Sequence, residues 1–204
     1  MRRYHFLQAD MTSCQGNEKP WMIDETRHAN GKIILCSNGY HSSPTWYDGL
    51  YYANGPVACI VDVPRKGTIL DSSKSASPSR TLVNARDANK VLRLWACDCA
   101  ERALKKTKDK DQDSWNAIAI SRLYAEGKAT LFELADAWTA AWASVTDTRQ
   151  TAKWAAANSA TRIAVWNTAW ITKWATARGD GEIKWQKHRL NWYMKKLFEE
   201  EKNE

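Results

Sequence analysis

Apolar and polar residues change their spacing near the middle of the chain. Before residue 80 the apolar positions form short runs cut by glycine, proline and asparagine; after residue 90 they recur every three or four positions. Residues 3–7, 21–23 and 32–36 read as short strands, the last two joined by a turn at Asn30 and Gly31. Ser43 caps a short helix with Pro44 at its first helical position. That helix runs to Tyr52 and stops at Asn54, Gly55 and Pro56. The apolar run 57–63 takes a central place in a sheet. The serine-rich stretch 71–79 reads as a mobile loop, residues 81–85 as a further strand and residues 89–104 as a helix.

Beyond the charged run 105–113 the pattern is helical throughout. Asp113 or Ser114 can cap a helix with Trp115, Ile118, Ala119 and Leu123 on one face, ended by Gly127. Thr130 and Glu133 have capping-box spacing. Residues 130–178 hold 14 alanines and six tryptophans with no Gly or Pro, a composition that favours helix. The polar segment 144–151 is a candidate break. Gly179, Asp180 and Gly181 mark a turn, and a last helix carries Ile183, Leu190, Met194 and Leu197 at helical spacing. Glu199, Glu200 and Glu201 oppose the dipole at its end and predict fraying. The expected fold class is α+β: a small mixed, mainly antiparallel sheet domain over residues 1–108, then an all-helical region over 109–204.

Composition narrows the classes. With 44% hydrophobic and 26% charged residues among 204, the chain is not wholly disordered. Its apolar runs are far shorter than the roughly 20 residues of a membrane helix. No apolar segment follows Arg2 and Arg3, so no signal peptide is expected. The five cysteines (14, 36, 59, 97, 99) then predict free thiols in a reducing cytoplasm. Cys97 and Cys99 stand two apart on a predicted helix, about 200° around its axis, so they predict buried thiols rather than a metal clip. No metal site and no obligatory cofactor are expected.

The net charge of +7 suits a polyanionic partner. Lys184, Lys187, His188, Asn191 and Lys195 share one face of the last helix, and Lys184, Lys187, His188 and Lys195 are the candidate nucleic-acid contacts; the alternative is a solvated polar face. Ten of the twelve tryptophans follow residue 90. Spaced among alanines, they read mainly as packing anchors. Trp166, Trp170 and Trp174 stack on one face, and Trp154 falls on the opposite side if the helix is continuous. These four are the candidate partner-binding residues, for another protein or a second copy.

One segment has a chemical look. Residues 38–57 place a histidine, several hydroxyls and five aromatic residues between two predicted strands. His41 could act as an acid or base, and Tyr40, Tyr51 and Tyr52 could stack on a flat ring, with Ser42 and Ser43 beside them. The alternative is an aromatic helix packed on a sheet, with His41 fixing the turn. No nucleophile elbow or phosphate-binding glycine loop occurs.

The sequence from Leu35 to Ser43, the short helix ending in Tyr51 and Tyr52 and the strand 57–63 resemble an uncharacterised family of phage and prophage proteins. That family carries a leucine-cysteine, two residues, glycine-aromatic-histidine signature, an Ala-Cys-x-Cys-Ala core and an Ala/Trp-rich helical tail. The resemblance implies a phage accessory protein in the host bacterial cytoplasm. It would bind a host component without catalysis, for host takeover or against a defence system. The same N-terminal element is similar to the centre of ADP-ribosyltransferases, which cradles the nicotinamide end of NAD. Gly39, Tyr40, His41, Ser42, Ser43, Tyr51 and Tyr52 carry that second resemblance. It implies NAD or another nucleotide as ligand, with His41 and His5 as catalytic candidates. The glutamate such enzymes place on a later strand is missing, since Glu101 falls on a predicted helix. Protein binding, nucleotide binding or transfer, and nucleic-acid binding are thus the three expectations.

Overall fold

The computed structural model describes residues 1–13, 18–107, 110–145, 151–159, 173, 176 and 179–199. The chain forms two compact units, Met1–Ala88 and Asn89–Glu204. The division falls twenty residues before the expected boundary at residue 108. Its reason is the helix Asn89–Thr107, which packs with the helices that follow it.

The first unit is built from antiparallel strands β1 (Arg2–Leu7), β2 (Thr26–His28), β3 (Tyr40–Ser42), β4 (Val57–Asp62), β5 (Ile69–Leu70), β6 (Ser75–Ser77) and β7 (Ser79–Asp87). A four-stranded sheet has the order β1-β4-β7-β2, and a three-stranded sheet has the order β3-β6-β5. The apolar run β4 is central, as its composition predicts. Alternation on β1 separates Arg3, His5 and Leu7 from Tyr4 and Phe6. His5 lies opposite Cys59, and Leu7 opposite Val57. Leu7, Trp21, Val57, Cys59, Val61 and Leu82 form the core on the first face. Tyr4 and Phe6 meet Trp46, with ring centroids 4.3 and 5.8 Å away. Ser43 and Tyr4 exchange backbone hydrogen bonds of 2.8 and 3.0 Å, tying the chain beyond β3 to β1.

Several local expectations are corrected. Residues 21–23 are not a strand: Trp21 is buried while Met22 and Ile23 are exposed, and Asp24 turns the chain with φ +64°. Residues 32–36 form turns rather than a strand; only Ile34 bridges, to Asn38, and Cys36 takes φ +65°. The short helix α1 (Trp46–Gly49) starts two residues later than Ser43 and Pro44 suggest, because Thr45 is the cap and accepts from the Asp48 N–H. A 3₁₀ turn, Leu50–Tyr52, completes it. The serine-rich stretch is a loop only over residues 71–74. It contains β6, whose Ser75, Ala76 and Ser77 are fully buried. Their hydroxyls are satisfied within the sheet pair, Ser75 with Ser42 at 3.0 Å and Ser77 with Thr68 at 3.1 Å. Small hydroxylated residues can therefore fill an inner strand that composition reads as polar.

The second unit contains α2 (Asn89–Thr107), α3 (Gln112–Ala125), α4 (Leu131–Ala143), α5 (Thr151–Ser159) and α6 (Asp180–Glu199). Asp111, rather than Asp113 or Ser114, caps α3 by accepting from the Ser114 N–H. The capping box of Thr130 and Glu133 forms, and Gly127, at φ +73°, follows the end of α3. Cys97, Ala100, Leu104, Ile118, Ala152, Ala155 and Ala156 pack as one cluster; Ala117, Leu134, Ala137 and Ala141 form another. Alanine lets these helices approach closely, and Trp115 and Trp138 pack, partly buried, against the two clusters. Trp95 is fully buried and donates to the Gln186 carbonyl at 3.1 Å. Trp138 and Trp142 stack with centroids 5.8 Å apart, and Trp142 is 43% exposed. Gly181 lies inside α6 rather than in a turn, and the buried face of α6 runs through Glu182, Gln186, Leu190 and Met194. Trp166, Trp170 and Trp174 lie outside the described residues, as does the side chain of Trp154. No helix among the described residues is long and apolar enough to cross a membrane.

Candidate functional site

The cleft of the first unit is built around β3. Gly39, at φ +117°, starts this strand in a conformation that disfavours a side chain. A Cβ there would stand 3.1 Å from Ile33 Cγ2 and from the Ser77 carbonyl. The close approach sets Tyr40, His41 and Ser42 against Ser77, Ala76 and Ser75 of β6. A cleft of about 850 Å³ opens beside them. His5, Tyr40, His41, Ser42, Ser43, Tyr51 and Tyr52 all line it, together with Cys36, Lys74, Arg80 and Glu18.

Their chemical states differ. His41 Nε2 accepts the Cys36 backbone N–H at 2.9 Å, which makes this nitrogen the unprotonated one. Burial pushes the His41 pKa below its ordinary value, helped by the charges of Lys74 and Arg80. His5 is pushed well below 6.5, first by burial and then by Arg80 and His41. Its Nε2 is shut from solvent and has no hydrogen-bond partner among the described residues. The Ser42 hydroxyl is spent on Ser75. Tyr52 shares a hydrogen bond with Ser73 at 3.0 Å, and Lys74 lies over its ring, 5.2 Å from the centroid. Tyr51 is 62% exposed and meets Tyr52 edge-on.

Arg80, on β7, is the residue that sequence reasoning missed. It is 3% exposed. Its guanidinium lies over Trp21 at 4.4 Å and over Tyr40 at 5.2 Å, contacts that help hold a desolvated cation. Nη1 donates to the His41 carbonyl at 3.0 Å, while Nε is buried without an acceptor among the described residues. Burial draws its pKa down to about 10. The cleft's one carboxylate among the described residues, Glu18, accepts from Ser13 and Trp21 and lies 3.9 Å from Arg27. Arg80 lies near the polar start of the inner strand β7 with no motif around it, so only the fold reveals it.

In the second unit, Asp98 is 9% exposed and accepts from Arg122 Nη1 at 2.7 Å, Arg189 Nε at 2.6 Å and the Tyr193 hydroxyl at 2.9 Å. Glu182 similarly holds Arg102 and Lys106. Each carboxylate is thus matched by cations, and the network ties α2 to α3 and α6. Of the candidate nucleic-acid contacts, Lys184, His188 and Lys195 are exposed and Lys187 is half-buried; Lys195 pairs with Glu199 at 3.7 Å. Cys97 and Cys99 are fully buried, and burial raises the Cys99 thiol well above its ordinary pKa. Among the described residues no group of three His, Cys, Asp or Glu side chains is placed to hold a metal ion.

No family model, no curated protein and no solved structure matches this chain. The site's own geometry therefore carries the functional argument.

Proposed function

We propose that the first unit is a binding module for a small ligand with a flat ring, a nucleotide or a molecule like it. The observation that supports this most is the convergence of His5, Tyr40, His41, Ser42, Ser43, Tyr51 and Tyr52 on one cleft of about 850 Å³. That volume lies within the range of about 300–1,000 Å³ usual for small-molecule sites. Binding fits better than ADP-ribosyl transfer, because the carboxylate in the cleft is already engaged and His41 Nε2 closes a turn. The test is isothermal calorimetry of the whole chain against nucleosides, nucleotides and NAD. The reading expects saturable one-to-one binding that Tyr52→Ala weakens about tenfold. No heat from any of these ligands removes it.

A second reading keeps the phage setting, in which the chain acts in the bacterial cytoplasm by holding a host protein or a second copy of itself. Exposed apolar residues on α4 favour it: Leu131 is 50%, Phe132 74% and Trp142 43% exposed. The test is co-purification from the natural host, with Phe132→Ser as the control. Isolation of the chain alone and monomeric contradicts it.

A further inference from the structure

Resting on the cleft as a ligand site, we infer that Arg80 is its anion seat and that the ligand carries a phosphate group. A buried charge costs several kcal/mol unless it is paired, and most buried guanidiniums therefore meet a carboxylate. Arg80 meets none among the described residues, and two aromatic rings and one carbonyl are its only partners. One carbonyl takes Nη1, and neither Nε nor Nη2 has an acceptor among the described residues. Those two nitrogens form the fork that can grip two oxygens of one oxyanion. Nε is buried as well.

The surroundings also favour a phosphate. Lys74 lines the same cleft, and both its charge and that of Arg80 act on His41. Lys74 Nζ rests 2.7 Å from the Cys36 sulfur, a weak acceptor that a phosphate oxygen can displace. Glu18, the opposing charge, is held by Arg27, Ser13 and Trp21. Two cations facing a single engaged carboxylate suit an anion of charge near −2. Tyr51 and Tyr52 stand at the exposed side of the cleft, where a ring attached to the phosphate would stack.

The experiment titrates the full chain at constant ionic strength with each nucleoside, its 5′-monophosphate and inorganic phosphate. The monophosphate is expected to bind at least about tenfold tighter than its nucleoside, the gain of one charge-assisted bidentate contact. Arg80→Gln should bring the ratio close to one without changing nucleoside affinity, and Arg80→Lys should restore part of it. Lys74→Gln, a partly exposed site, should lower the ratio about threefold and serves if Arg80→Gln does not fold. Binding of inorganic phosphate alone, lost in these variants, keeps the anion seat but removes the flat-ring ligand. Equal affinities for nucleoside and monophosphate overturn the anion seat and leave the cleft reading standing. Absence of all binding overturns both.

Discussion

The backbone N–H of Cys36 donates to His41 Nε2 at 2.9 Å. A side chain from the start of the second sheet thus holds the turn that precedes it, where Cys36 has φ +65°. The imidazole lone pair that acid–base chemistry would use is occupied by this contact. His41→Ala is expected to destabilise the unit by about 1–2 kcal/mol, the range for a lost hydrogen bond at a partly buried group. Hydrogen exchange at the Cys36 amide should speed up in parallel. Unchanged exchange would show that the turn stands without the histidine.

His5 and His41 predict the pH dependence of the first unit. Both are held below the ordinary histidine pKa of 6.5, chiefly by burial. The unfolded chain therefore takes up protons that the folded chain refuses, and stability is complete above about pH 6.5 and falls as the pH drops below it. The slope can reach about 1.4 kcal/mol per pH unit for each histidine. Urea titrations between pH 5 and 8 measure it. His5→Asn should flatten the lower part of the curve; an unchanged slope would remove His5 from the account.

The helical unit has its own test in Asp98. Removing this carboxylate takes the acceptor from Arg189 and Tyr193, while Arg122 keeps Glu101. Because both arginines are about one-third exposed, Asp98→Ala should cost less than a fully buried pair, about 2 kcal/mol, read from the loss of helical circular dichroism in urea. Asp98→Asn, which keeps the acceptor oxygen, should cost less. Equal stability of both variants and the native chain would mean that the ion network contributes nothing.

The sequence was informative where local chemistry decides structure. The apolar run of β4, the strand at Arg2–Leu7 and the capping box at Thr130 form as the residue pattern indicates. The candidate ligand residues also meet in one cleft, because they follow one another through β3 and the turn after it. The pattern failed where tertiary pairing decides. Ser75 and Ser77 become an inner strand because Ser42 and Thr68 supply partners from elsewhere in the chain. Trp21 joins the core of Leu7, Val57 and Leu82 without a strand of its own, with Arg27 and Arg80 lying over its ring. Arg80 itself was invisible, since burial of an arginine without a carboxylate is a property of the fold and not of any neighbouring residue.

The central claim is that the β3 cleft takes a phosphate-bearing, flat-ring ligand, and resonance mapping of the ¹⁵N-labelled full chain tests it most directly. Titration with a nucleoside 5′-monophosphate should move the amides of residues 39–43, those of Tyr51, Tyr52 and Lys74, and the Arg80 Nε resonance, all saturating together. No shifts, or shifts confined to Lys184, His188 and Lys195 on α6, would contradict it.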